Sequence, residues 1–234
     1  MPSALEFDWV ATTATGLYPV SFAAQLLKEK QRIVRSWIDG YANSDAEPII
    51  CRQLPRFGER TVLGFLDLVE ARFIKHFSDL GLSRQAIRKV AIKLREKYNE
   101  DHPFATKNRF RTDGRKIFME VVETPEERRI IDVMADNFVM APVIEQSLFD
   151  TILYANDLAY RWRPIPWLKN VVLDPKVSFG KPVVEGAWIP TATLHKSFAV
   201  SGSADDVADE YLIDVDLVEQ AVAFERLLME GQPA

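Results

Sequence analysis

The chain has 234 residues, 47% hydrophobic and 27% charged, with a net charge of −5. It is long enough to bury two small cores, and Cys51, its one cysteine, excludes an internal disulfide and fits a reducing cytoplasm. Neither a membrane span, a signal peptide nor a Cys/His zinc cluster is expected, because no apolar run is long enough and the three histidines are scattered. The charge is unevenly placed: residues 1–122 hold 20 Lys/Arg against 15 Asp/Glu, and residues 170–234 hold 4 against 11. A basic half suits a polyanion, and an acidic half suits a basic or neutral partner.

Residues 1–16 lack a hydrophobic period and are rich in small polar side chains, which predicts an N-terminal arm. From residue 17 the pattern is helical. Val20, Ala23, Ala24 and Leu27 recur at i, i+3, i+4 and i+7; the run Lys28-Glu29-Lys30-Gln31 interrupts them; Ile33, Val34, Trp37 and Ile38 restore the stripe. Two short helices about a tight polar turn predict a helix-turn-helix. Its second helix is expected to turn Gln31, Arg32, Arg35 and Ser36 outward, with Lys28 and Lys30 in the turn. These side chains reach phosphates and base edges in a major groove. EPIICRQL and RTVLGF, parted by PRFGE, predict a wing hairpin whose Arg52, Arg56 and Arg60 hold backbone phosphates.

Leu66, Val69, Phe73 and Phe77 then mark a long helix ending at Gly81, and Ser83 caps a second, strongly basic one with Ile87, Val90, Ala91 and Leu94 inward. Asp113-Gly114 predicts a tight hairpin. Residues 125–150 have a helical pattern interrupted by Pro142, and DLAYRWRPIP alternates like a strand. These features divide the chain into residues 17–122, a connecting segment 123–169, and a C-terminal domain 170–234. In the last, Gly180, Pro182, Gly186 and Pro190 punctuate short apolar pairs, predicting very short strands between tight turns. Ser203 caps a helix over 203–211, and a final helix from about 214 carries Leu217, Ala221, Phe224 and Leu228 on one face. The fold class expected is mainly α with small β elements.

Two stretches resemble known families. YPVSFAAQLL, RSWIDGY and FLDLVEARFIKHFSDLGLSRQAIRKV are similar to the winged helix-turn-helix of the MerR superfamily, although Lys28-Glu29-Lys30 stands where relatives often have glycine. Asp174-Pro175, Gly180-Lys181-Pro182, Gly186, Ile189-Pro190, Gly202 and the run from Glu219 to Glu225 resemble the domain of unknown function 433. Ala187-Trp188 departs from the Thr-Arg of many relatives. Together the halves look like antitoxins of VapBC-type toxin–antitoxin modules. The resemblance implies a PIN-like ribonuclease toxin as partner, repression of a shared operon, and a cytoplasmic location.

The residue chemistry agrees in part. The C-terminal helices are expected to turn Asp205, Asp206, Asp209, Glu210, Asp216 and Glu219 outward, a face that the phosphates of a duplex repel. Operator DNA is therefore assigned to the N-terminal half, and Asp205, Asp206, Asp209 and Glu210, with Trp188, to protein contact. A short recognition helix usually works in a homodimer on paired half-sites. No catalytic, metal or cofactor site is expected, since Glu70, His102 and His195 show no pairing or spacing that activates a nucleophile. The alternative is a stand-alone MerR-like transcription regulator that senses a small ligand, with Trp162, Trp167 and Trp188 lining an apolar pocket.

Overall fold

The structure is a computed structural model that describes residues 14–40, 47–56, 58, 60–107, 121, 124–126, 128 and 149–230. Most of the arm, the hairpin at Asp113-Gly114 and most of the helical stretch 125–150 lie outside these residues. The described part is mainly helical with two small sheets.

Strand β1 (Tyr18–Pro19) leads directly into helix α1 (Val20–Leu27), whose Val20, Ala23, Ala24 and Leu27 are all buried. Lys28 ends α1 in the left-handed conformation (φ 52°), the position where glycine is usual. Helix α2 (Gln31–Asp39) follows at once and buries Val34, Trp37 and Ile38. The paired helices expected from the two stripes are present.

The wing departs from expectation. Residues 47–56 form no strand, and β2 (Val62–Leu63) pairs antiparallel with β1, not with the preceding segment. Other partners take that segment's backbone groups. The Ile50 amide donates to the Trp37 carbonyl at 2.9 Å, the Arg95 guanidinium donates to the Ile49 carbonyl, and the Gln53 amide donates to Asp67 at 3.1 Å. Ile49 and Ile50 are both buried, which an alternating edge strand would not allow. The product is a loop strapped across α2 and helix α3 (Phe65–Asp79).

Helix α4 (Arg84–Tyr98) begins as expected, with the Ala86 amide donating to the Ser83 hydroxyl at 3.1 Å. A short 3-10 turn at Pro103–Ala105 then inserts Phe104 beside Phe77 in the core.

The second sheet is a five-stranded antiparallel meander, β3 (Ile152–Ala155), β4 (Leu158–Trp162), β5 (Val171–Leu173), β6 (Pro182–Val184) and β7 (Ile189–Pro190), in chain order. It runs continuously across residues 164–170, so β3 and β4 share a sheet with the C-terminal strands. Helices α5 (Thr191–Ser201), α6 (Ala204–Tyr211) and α7 (Val215–Glu230) complete the chain. The last two match expectation, with Ala221, Phe224 and Leu228 buried. Helix α5 does not, because its segment read only as turns between short strands. It buries just Thr191 and Leu194, a pattern too weak to announce a helix, and it is held by packing against α7 and α6.

Helix α1 joins the two halves. Its Val20, Ala23, Ala24 and Leu27 belong to the large core of α1–α4, β3 and β4. Phe22 and Leu26, on its other side, pack against Leu168, Val171, Phe224 and Leu228.

Candidate nucleic-acid interface and acidic partner surface

Arg32 and Arg35 lie three residues apart on the exposed side of α2. They border an open groove of about 700 Å³ lined by Arg32, Ile33, Arg35, Ser36, Asp39, Gly40, Arg56 and Arg84. Four arginines from three parts of the chain therefore border one concave surface. Its charge suits phosphates and base edges.

The sequence-derived residues divide among several environments. Arg32, Arg35 and Arg56 line the groove and are exposed. Lys28, Lys30 and Gln31 are exposed at the turn and the start of α2, outside the groove lining. Arg60 is exposed beside β2. Ser36 is not outward-facing: it is buried, and its hydroxyl donates to the Ile33 carbonyl at 2.7 Å within its own helix. Arg52 is 17% exposed and ion-paired with Asp39, so its charge is already engaged.

Asp39 joins the site without having been anticipated, and Arg84 comes to it from the helix expected to be strongly basic. Asp39 is four residues beyond Arg35 and so shares its helix face, a signal that helical spacing carries. Its carboxylate accepts from Thr61 at 2.6 Å, from Arg56 at 3.1 Å and from Arg52. Burial works against its charge, but Thr61, Arg52 and Arg56 outweigh that and hold the carboxyl below its usual range. Arg84 reaches the groove from the start of α4. Tertiary packing brings it beside α2, whereas the sequence marks it only as one cation of a strongly basic helix.

The acidic residues are at the opposite end of the chain. Asp205, Asp206, Asp209 and Glu210 are exposed along α6, and Asp216 and Glu219 are exposed on α7. Ser203 caps α6 by accepting from the Asp206 amide at 3.2 Å, and Asp205 and Asp206 sit in the first turn, where negative charge is favoured. Leu212 ends α6 with φ 54° and is 91% exposed.

Trp188 belongs to the sheet. It has φ 59° and is 39% exposed in the turn between β6 and β7. The Arg161 guanidinium lies 5.0 Å from its ring centre and bridges Asp174 and Glu185, each at 2.7 Å. Trp162 is buried beneath Arg72, whereas Trp167 is 69% exposed. The three tryptophans thus occupy three different environments.

Glu70 and His102 do meet, in the core below the 47–56 loop. His102 Nδ1 is 3.4 Å from Glu70 and 3.8 Å from Asp67. The Phe104 amide donates to Glu70, and the Gly64 and Gln53 amides donate to Asp67. Burial pushes the Asp67 carboxyl up to about 6, and the neighbouring carboxylates hold the His102 ring above its ordinary range despite burial. This cluster, with Asp67 and Glu70 fully buried and His102 7% exposed, ties loop to helix. Among the described residues no group of His, Cys, Asp and Glu is arranged to hold a metal ion, and no helix is long and apolar enough to cross a membrane.

No family model matches the chain. It is 26% identical over 223 residues to a Mycobacterium tuberculosis protein named "Putative antitoxin VapB45", covering 88% of this chain and 92% of that one. The crystal structure of Rv2018 from Mycobacterium tuberculosis superposes with a TM-score of 0.67 at 24% identity, over 88% of this chain and 96% of that one. The two comparisons show that the fold is one already seen, along nearly the whole length.

Proposed function

We propose that this chain is the antitoxin of a type II, VapBC-like toxin–antitoxin module. It neutralises a PIN-like ribonuclease by direct binding and represses its own operon through the arginine groove. The antitoxin assignment rests on similarity along nearly the full length of both chains to the relative of that name. DNA binding rests on the convergence of Arg32, Arg35, Arg56 and Arg84 around α2.

The order of elements supports a MerR-like reading of the N-terminal half: helix, tight turn, helix, strapped loop, long helix, Gly81 turn and Ser83-capped helix. The short strands followed by acidic helices are compatible with the domain of unknown function 433. The acidic surface of α6 and α7, repelled by nucleic acid, is the part left to face the toxin. Operator binding uses a homodimer, because one short helix reads too few base pairs alone.

Co-expression with the neighbouring gene tests this reading. Inducing that gene alone in a heterologous bacterium is expected to arrest growth. Adding this protein is expected to restore growth, with the two co-purifying. Absence of arrest, or arrest unrelieved by this protein, overturns the assignment.

A further inference from the structure

Among the described residues one carboxylate, that of Asp39, lines the arginine groove, and its placement has no helix-stability rationale. Asp39 is the last residue of α2, where the helix dipole favours a cation. Arg32, Arg35 and Arg56 with no carboxylate among them would grip any duplex through its phosphates. Asp39 instead engages the two arginines of the strapped loop while Arg32 and Arg35 stay exposed.

Its partners are unequal. Arg52 is 17% exposed and Thr61 is buried, so both are fixed in place. Arg56 is 63% exposed and meets Asp39 at 3.1 Å from the groove side. If Arg56 swings away, Asp39 keeps Arg52 and Thr61, and no buried charge is left unpaired.

We propose that Asp39 is a specificity-determining residue of this groove: it masks Arg56 in the free protein and releases it to a backbone phosphate only when Arg32 and Arg35 have seated on their bases. The inference rests on the DNA-binding reading above. Asp39 repels a phosphate that arrives at random, and a correctly seated duplex overcomes that repulsion through its other contacts. Discrimination then comes from weakening the wrong complex as well as from strengthening the right one.

The experiment uses the full chain, fluorescence anisotropy, and two duplexes across a salt series: the region just upstream of this gene, and a shuffled duplex of equal length and composition. Wild type is expected to prefer the upstream duplex. Asp39→Asn is expected to bind shuffled DNA several-fold tighter and to lose about tenfold in preference. Its salt dependence on shuffled DNA should steepen by about one unit of slope, as a newly freed arginine meets a phosphate. Arg56→Gln, on an exposed side chain, should weaken the upstream complex about five- to tenfold and leave shuffled binding within about twofold, one phosphate contact being at stake. The Arg56→Gln arm decides the matter if Asp39→Asn does not fold.

Equal losses on both duplexes in either variant would show a purely structural role and overturn the proposal, as would no change in either. Failure of wild type to bind any DNA would overturn the DNA-binding reading itself, and the proposal with it.

Discussion

Lys28 shows how one residue can be fully legible in type and opaque in conformation. A polar interruption between two apolar stripes announces a turn, but its left-handed backbone is visible only in the structure. A non-glycine residue there costs about 1 kcal/mol. Lys28→Gly is therefore expected to leave stability unchanged or raise it by up to about 1 kcal/mol, part of the relief being offset by unfolded-chain entropy. Urea unfolding would check this; a loss above about 1 kcal/mol would mean that the lysine makes a contact worth more than the strain.

His102 gives the second residue-scale expectation. Its folded pKa is raised above the ordinary 6.5 by Glu70 and Asp67, so its contribution to stability is fully present below pH 6.5 and lost as pH rises through the folded value. Asp67, raised to about 6 by burial, has the same sign: its contribution is lost between about 3.8 and 6 on the way up. Urea midpoints are expected to fall as pH rises above 6.5, where His102 begins to lose its proton; below 6.5 His76, held under its ordinary range by burial, opposes the Asp67 loss. In His102→Asn the decline above pH 6.5 should vanish, and at pH 6 the variant should lose about 3 kcal/mol, having left Glu70 and Asp67 without a countercharge. A wild-type midpoint flat above pH 6.5 would contradict the sign.

At the scale of elements, the sequence was most legible where hydrophobic period and caps coincide. Helices α1 and α2 follow from two apolar stripes, α4 from Ser83, and α6 from Ser203. The wing is not legible in the sequence, because alternation says nothing of the partners that take the loop's polar groups. Asp67 and Arg95 capture the loop's backbone groups, and Asp39 captures its side chains. Asp67 and Arg95 are distant in sequence. Helix α5 was missed for the converse reason, since its own pattern is weak and its support comes from α7. The candidate site was partly legible: Arg32, Arg35 and Arg56 from residue type and spacing, Arg84 only as one cation of a basic helix, and the role of Asp39 only from the fold.

The role of α2 as an element has a direct test. Arg32→Ala with Arg35→Ala should abolish preference for the upstream duplex, costing about 1–3 kcal/mol for each lost base contact, with residual binding still salt-dependent. Arg60→Ala should instead weaken both duplexes alike. Unchanged upstream binding by the Arg32 and Arg35 double variant at moderate salt would remove α2 from the interface.

The whole molecule is held by a seam that the composition did not suggest. A basic half and an acidic half read as two separable domains, but α1 packs into both cores and the Leu17 amide donates to the Phe179 carbonyl at 2.9 Å. Gly180 closes the seam at φ 83° with its Cα against the ring of Tyr18; an added Cβ would meet Tyr18 Cζ at 2.7 Å and the Gly16 backbone at 3.1 Å. Gly180→Ala is expected to cost about 2–4 kcal/mol from overlap and backbone strain together. Tyr18→Phe, which removes a buried hydroxyl with no hydrogen-bond partner among the described residues, should be within about 1 kcal/mol of wild type. A thermal melt of both variants separates the two effects; a Gly180→Ala protein as stable as wild type would mean that the seam yields.

Helix α1 carries on one side the platform of α2 and on the other the end of α7. Under the proposed function, two binding events on such a body share one free-energy surface. If occupation of the acidic helices multiplies operator affinity by some factor, operator must multiply affinity at the acidic helices by that same factor. Under that function, measuring either coupling measures both, so the strength of autoregulation and the retention of the partner on DNA would be one quantity.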